Sequence, residues 1–128
     1  MYGTRARIGC IIPSTNTVVE SEFNRLKPSG VSIHADRVEF LESTVQDLQH
    51  AAGEVPAVAQ RIATAQVDAI VFACTSASFL FGTRWEQKLV NEMQAASGIR
   101  CITTSGAVIA ALETLGAKRV SVATPYTD

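Results

Sequence analysis

The sequence has little of what marks a metalloprotein, a nucleotide-binding protein or a membrane protein. It holds three cysteines, Cys10, Cys74 and Cys101, with no CxxC pair. An odd, widely spaced set argues against a disulfide framework and against a zinc site. The two histidines, His34 and His50, do not sit at a metal-ligand spacing. Neither GxGxxG nor a P-loop lysine occurs, which disfavours nucleotide binding. Lys and Arg form no run or face, and the formal net charge is −1. Nucleic acid and membrane surfaces both call for a concentrated positive footprint, so neither is an expected partner. No apolar run reaches the roughly 18 residues of a membrane-spanning helix. The start, MYGTRARIGCIIP, lacks a long apolar h-region and a small-residue cleavage site, and reads as a first strand rather than a signal peptide. Reduced thiols in a cytoplasmic protein are the simplest expectation.

What is present is a core. Of 128 residues, 47% are hydrophobic, enough for one ordinary domain. Strand and helix patterns alternate along the chain. Strands are expected at 7–12, 31–38, 67–74, 101–103 and 119–124. Helices are expected at 17–26, 43–66 (with a break near Gly53 and Pro56), 82–96 and 105–115. Strands that are apolar on both faces imply helices on both sides. The expected fold is therefore α/β, doubly wound, with a mainly parallel sheet and right-handed crossovers. Ligands in such folds bind beyond the C-terminal strand ends. The loops there, 13–16, 75–78, 103–105 and 125–128, are rich in Ser, Thr or Asn. The fifth strand has no helix after it to cover it, so the chain reads as a fragment or as half of something larger. Pairing of two copies across that strand is compatible with this reading.

The stretch VFACTSASF poses the main chemical question. Cys74 falls where an apolar strand hands over to a helix start, a position that favours a thiolate. Thr75, Ser76 and Ser78 add hydroxyl and backbone donors suited to a carboxylate or an oxyanion. Cysteine is also among the most buried residue types, so strand packing stays an open reading. Cys10 and Cys101 lack such a loop and read as packing. In Pro13-Ser14-Thr15-Asn16-Thr17, Asn16 or Thr15 is expected to cap the first helix, and Asn16 is also a candidate donor to a substrate carboxylate. Tyr126 lies just past the fifth strand, where its phenol could donate to an anion or simply face the surface. Thr104 and Ser105 read as caps of the last helix. His34 and Arg37 fall on the second strand without an evident partner. The charges of residues 84–88 read as a solvated helix face. No Ser–His–Asp arrangement and no metal-ligand cluster is visible, which leaves cofactor-free chemistry at a thiol or an anion hole.

Three segments carry a resemblance: RIGCIIPSTNTVVESEF, VFACTSASFLFG and ITTSGAVIAALETLGAKRVSVATPYTD. They resemble the aspartate/glutamate racemase superfamily, and within it the maleate cis-trans isomerases, with the arylmalonate decarboxylases as near relatives. The resemblance implies two pseudo-symmetric α/β domains, a site between them, no cofactor and no metal, and a cysteine from each domain. It implies Cys74 as the first cysteine and Asn16 as the carboxylate-binding amide, with Ser14 of the same loop a further substrate-binding candidate. Thr75, Ser76 and Tyr126 match the hydroxyls that hold a carboxylate or stabilise an enediolate. The implied substrate is a small dicarboxylate, isomerised from maleate to fumarate by cysteine attack. The decarboxylases have glycine at the position of Cys74, so cysteine favours isomerase or racemase. Members are close to twice this length. Residues 1–118 therefore correspond to a first domain and 119–128 to the start of a second. A chain of this length is expected to hold half of the site and not to turn over. Racemase or decarboxylase chemistry, and a non-catalytic anion-binding role, are the alternatives.

Overall fold

The computed structural model describes residues 2–124. Tyr126 and the expected loop at 125–128 lie outside the described residues. The elements run β1 (Ala6–Pro13), α1 (Val19–Leu26), β2 (Val31–Val38), α2 (Val45–Ala63), β3 (Ala69–Phe72), α3 (Thr75–Phe79), α4 (Thr83–Ser97), β4 (Cys101–Thr103) and α5 (Thr104–Thr114). The four strands form one parallel sheet in the order β2-β1-β3-β4. This is the expected α/β architecture, with helices on both faces.

One face carries the main core. Ile11, Val38, Ile70 and Phe72 of the sheet pack against α2 and α4, including Val55, Ala59, Leu89 and Met93. The other face holds a smaller cluster of Cys10, Ile12 and Val71 under Val19 and Phe23 of α1. Gly9 permits the close approach of α2 to β1. A Cβ at that position would lie 2.4 Å from Ile62 Cγ2.

The helix at α2 is continuous, which corrects the expected break at Gly53 and Pro56. A helix-interior proline costs about 3 kcal/mol. Leu48, Val55, Val58 and Ile62 are all buried from this helix. Each such side chain contributes about 1.5–3 kcal/mol on burial, which outweighs the proline. The start is capped as well: Thr44 Oγ1 accepts from the Asp47 N–H at 3.1 Å, and the Asp47 carboxylate accepts from the Glu42 N–H at 2.6 Å.

The expected fifth strand does not form. Residues 119–124 are unpaired and exposed, Val120 and Val122 among them. A β-branched run gains stability from pairing and from half-burial on a pleated surface, and this segment has neither.

Candidate functional site

The chain leaves β1 for β2 on one side and reaches β3 on the other. The crevice between the ends of β1 and β3 is therefore the switch point of the sheet, where open α/β folds bind ligands. A cavity of about 470 Å³ lies there, lined by residues 13 and 15–19, Phe40, and residues 73–76.

Cys74 is the residue before α3, in extended conformation; it belongs to the main core cluster and also lines this cavity. It is 6% exposed. Its Sγ lies 3.8 Å from Ser76 Oγ. Thr75 and Ser76 form the first turn of α3 and line the same cavity; Thr75 is exposed and Ser76 half-buried. The segment expected as a loop at 75–78 is thus a single helical turn and a little more. Ser78 is fully buried behind it. Its Oγ donates to the Thr75 carbonyl at 2.9 Å and accepts from the Ser105 N–H at 3.2 Å.

Asn16 does two things with one amide. Its Oδ1 accepts from the N–H groups of Val18 and Val19, both at 2.9 Å. This capping begins α1 two residues later than the periodicity suggests. Because Oδ1 takes both backbone donors, Nδ2 is left without a partner among the described residues, on a side chain that lines the cavity. Ser14 is placed differently. Its Oγ donates to the Phe40 carbonyl at 3.1 Å and accepts from the Phe40 N–H at 3.0 Å. The hydroxyl thus ties the loop after β1 to the segment after β2, and it does not line the cavity.

Three features were not legible in the sequence. Arg37 stands opposite Ile12 in the β1–β2 register. Its Nη1 donates to the carbonyls of Pro13, Ser14 and Asn16 at 3.2, 2.9 and 2.8 Å, and its Nη2 pairs with the Glu20 carboxylate. Phe40 closes one side of the cavity. Glu86, read as part of a solvated face, accepts from the buried Thr103 hydroxyl. Thr103, and not Thr104 or Ser105, caps α5: its Oγ1 accepts from the Gly106 N–H at 3.1 Å. Thr104 and Ser105 instead tie α5 back to β3 and α3. His34 is half-buried and shares a hydrogen bond with Ser32 Oγ at 2.9 Å, away from the cavity.

The other two thiols are packed in the core and do not line this cavity. Cys10 is fully buried, and burial, with a smaller contribution from the Glu20 carboxylate, pushes its pKa up to about 12. Cys101 is also raised by burial, partly offset by its hydrogen bond with Ser97. All three cysteines are free. Among the described residues, no group of three His, Cys, Asp or Glu side chains is placed to hold a metal ion.

A thiol, an amide and two hydroxyls line one cavity at the switch point of a parallel α/β sheet. The chain belongs to the arylmalonate decarboxylase family, whose model matches residues 8–128. It is 27% identical to the maleate isomerase of Pseudomonas putida over 94% of its own length and 53% of that protein's. Its fold matches a liganded double mutant of arylmalonate decarboxylase, with one glycine changed to cysteine and one cysteine changed to serine. That match has a TM-score of 0.87 and 30% identity, and covers 95% of this chain and 52% of the other. A cysteine-to-alanine variant of the maleate isomerase from Pseudomonas putida S16, solved with maleate, matches with a TM-score of 0.81 and 30% identity. There the coverage is 96% of this chain and 54% of the other. The chain thus spans about half the length of these relatives, all of which are enzymes. Among its described residues no helix is long and apolar enough to cross a membrane.

Proposed function

We propose that this chain supplies the first-cysteine half of a cofactor-independent site for the cis-trans isomerisation of a small dicarboxylate, maleate to fumarate. In this reading the Cys74 thiolate attacks one alkene carbon. A C–S bond forms, and the π pair moves to the neighbouring carbon, where its carboxylate takes it up as an enediolate. The former double bond is now single and rotates. The electron pair returns, the C–S bond breaks, and fumarate leaves with the thiolate regenerated. Nothing is oxidised or reduced, so no redox cofactor is called for. Asn16 Nδ2 and the hydroxyls of Thr75 and Ser76 hold carboxylate oxygens, and the hydroxyls stabilise the enediolate. Tyr126 completes this set. Ser14 serves it through the loop rather than by touching substrate. The second cysteine and the facing wall belong to the other half of a full-length site, and a second copy of the chain is one source of such a wall. Free thiols fit a reducing, cytoplasmic setting.

The observation that carries this reading is that Cys74 and Asn16, whose amide nitrogen has no partner among the described residues, line one cavity. Racemase or decarboxylase chemistry uses the same hydroxyls with cysteine as acid or base. The test follows maleate and fumarate by proton NMR with a protein of the relatives' full length that contains these residues. Loss of conversion in Cys74→Ala is expected. Unchanged conversion in that variant, or exchange of solvent deuterium into an α-carbon without isomerisation, would overturn the reading.

A further inference from the structure

We propose that Arg37 is the positioning residue of the loop after β1, turning its peptide groups so that the N–H groups of Thr15 and Thr17 join the Asn16 amide as donors to a carboxylate. The proposal rests on the anion-site reading above and adds backbone donors and the residue that aims them.

A loop that holds an anion must keep its carbonyl oxygens away from it. Here one nitrogen of the Arg37 guanidinium gathers three of them, from Pro13, Ser14 and Asn16. In a trans peptide the N–H points opposite to the C=O of the same unit, and the described chain has no cis peptide bond. The peptide partners of these three carbonyls are the N–H groups of Ser14, Thr15 and Thr17. The first is used, donating to the Val38 carbonyl at 2.8 Å. Those of Thr15 and Thr17 have no acceptor among the described residues, and both residues line the cavity. They point away from Arg37. Asn16 Nδ2 belongs to the same stretch and is likewise unpartnered.

The Glu20 carboxylate pairs with the other guanidinium nitrogen. The net charge of the pair is therefore close to zero. What Arg37 delivers to the cavity is the orientation of peptide dipoles, not a long-range positive field. A half-exposed ion pair by itself contributes little to stability, so the three carbonyl bonds are the part that matters.

The experiment uses Arg37→Met in the chain as it stands, with two readouts. The first is amide hydrogen exchange at Val18 and Val19, whose N–H groups are held by Asn16. The Ile70 N–H, bonded to the Arg100 carbonyl at 2.9 Å, reports on the fold. Exchange at Val18 and Val19 is expected to rise about tenfold, with Ile70 unchanged. Unchanged exchange at Val18 and Val19 would overturn the proposal. The second readout is the rate of Cys74 alkylation by iodoacetate, an anion, divided by that for neutral iodoacetamide. This ratio is expected to fall several-fold in the variant, and equally at about 0.05 M and about 0.5 M NaCl, since only long-range charge is screened. A fall that disappears at high salt would assign Arg37 an electrostatic role and overturn the positioning one. If the unsubstituted chain shows only the ratio of free glutathione, the anion-site reading fails, and the exchange result still decides the role of Arg37. Should Arg37→Met not fold, Arg37→Gln, too short to reach the three carbonyls, takes its place with the same expected results.

Discussion

A thiol reacts through its thiolate, so burial should hold back Cys10 and Cys101. Burial raises Cys10 from its ordinary value near 9 to about 12 and raises Cys101 as well. Cys74 lines the cavity and the other two thiols do not, so iodoacetamide at about pH 8 is expected to label Cys74 and spare Cys10 and Cys101, as read by peptide mapping. Labelling of Cys10 at a comparable rate would contradict the assignment of the buried cluster. The sign of the shift has a second consequence. Cys10 keeps its proton in the fold, while the unfolded chain gives it up above about pH 9, so stability falls as pH rises from there towards 12. At this scale local position was legible: Cys74 and Asn16 both fall on the cavity, because a strand end or a helix start lies within two or three residues of each. The roles of Arg37 and Glu86 were not, because their partners are brought to them by strand register and helix packing. Ser14 lies between: its loop was legible, but its commitment to the Phe40 backbone depends on how β1 and β2 end side by side.

Elements are where burial overruled local preference. Pro56 suggested a break, yet α2 runs through it because its apolar face lies on the sheet and against α4. The reverse holds at residues 119–124, where β-branched residues alone do not make a strand without a partner. The packing of α2 on β1 gives a direct test. Gly9→Ala places a methyl group against Ile62 Cγ2 and is expected to destabilise the chain by about 1–3 kcal/mol, read as a lower urea midpoint. Adding Ile62→Ala should recover part of that loss against the sum of the two single changes, since the two residues share one space. Strict additivity would show that the close approach is not what makes glycine necessary here. Gly98 closes α4 for a different reason: its φ of 69° is left-handed, where a side chain is strained.

For the molecule as a whole, the alternation of strand and helix patterns carried the fold class, because a buried parallel sheet leaves that signature over long stretches. It did not carry how evenly the faces are covered. One face is closed by α2 and α4. On the other, α1 and α5 flank an open apolar groove of about 400 Å³, and α5 buries none of its residues. The cavity sits at the switch point, between the segments that follow β1 and β3. Its lining therefore depends on the fold as a unit and not on one motif. Whether Cys74 is a nucleophile held beside a carboxylate can be tested on the chain directly with maleate. Addition of the thiol across the double bond leaves a succinyl group on sulfur, which peptide mass spectrometry locates. An adduct on Cys74 is expected, formed faster than on free glutathione and suppressed by Asn16→Ala. An adduct spread over all three cysteines, or formed at Cys74 no faster than on glutathione, would contradict that expectation.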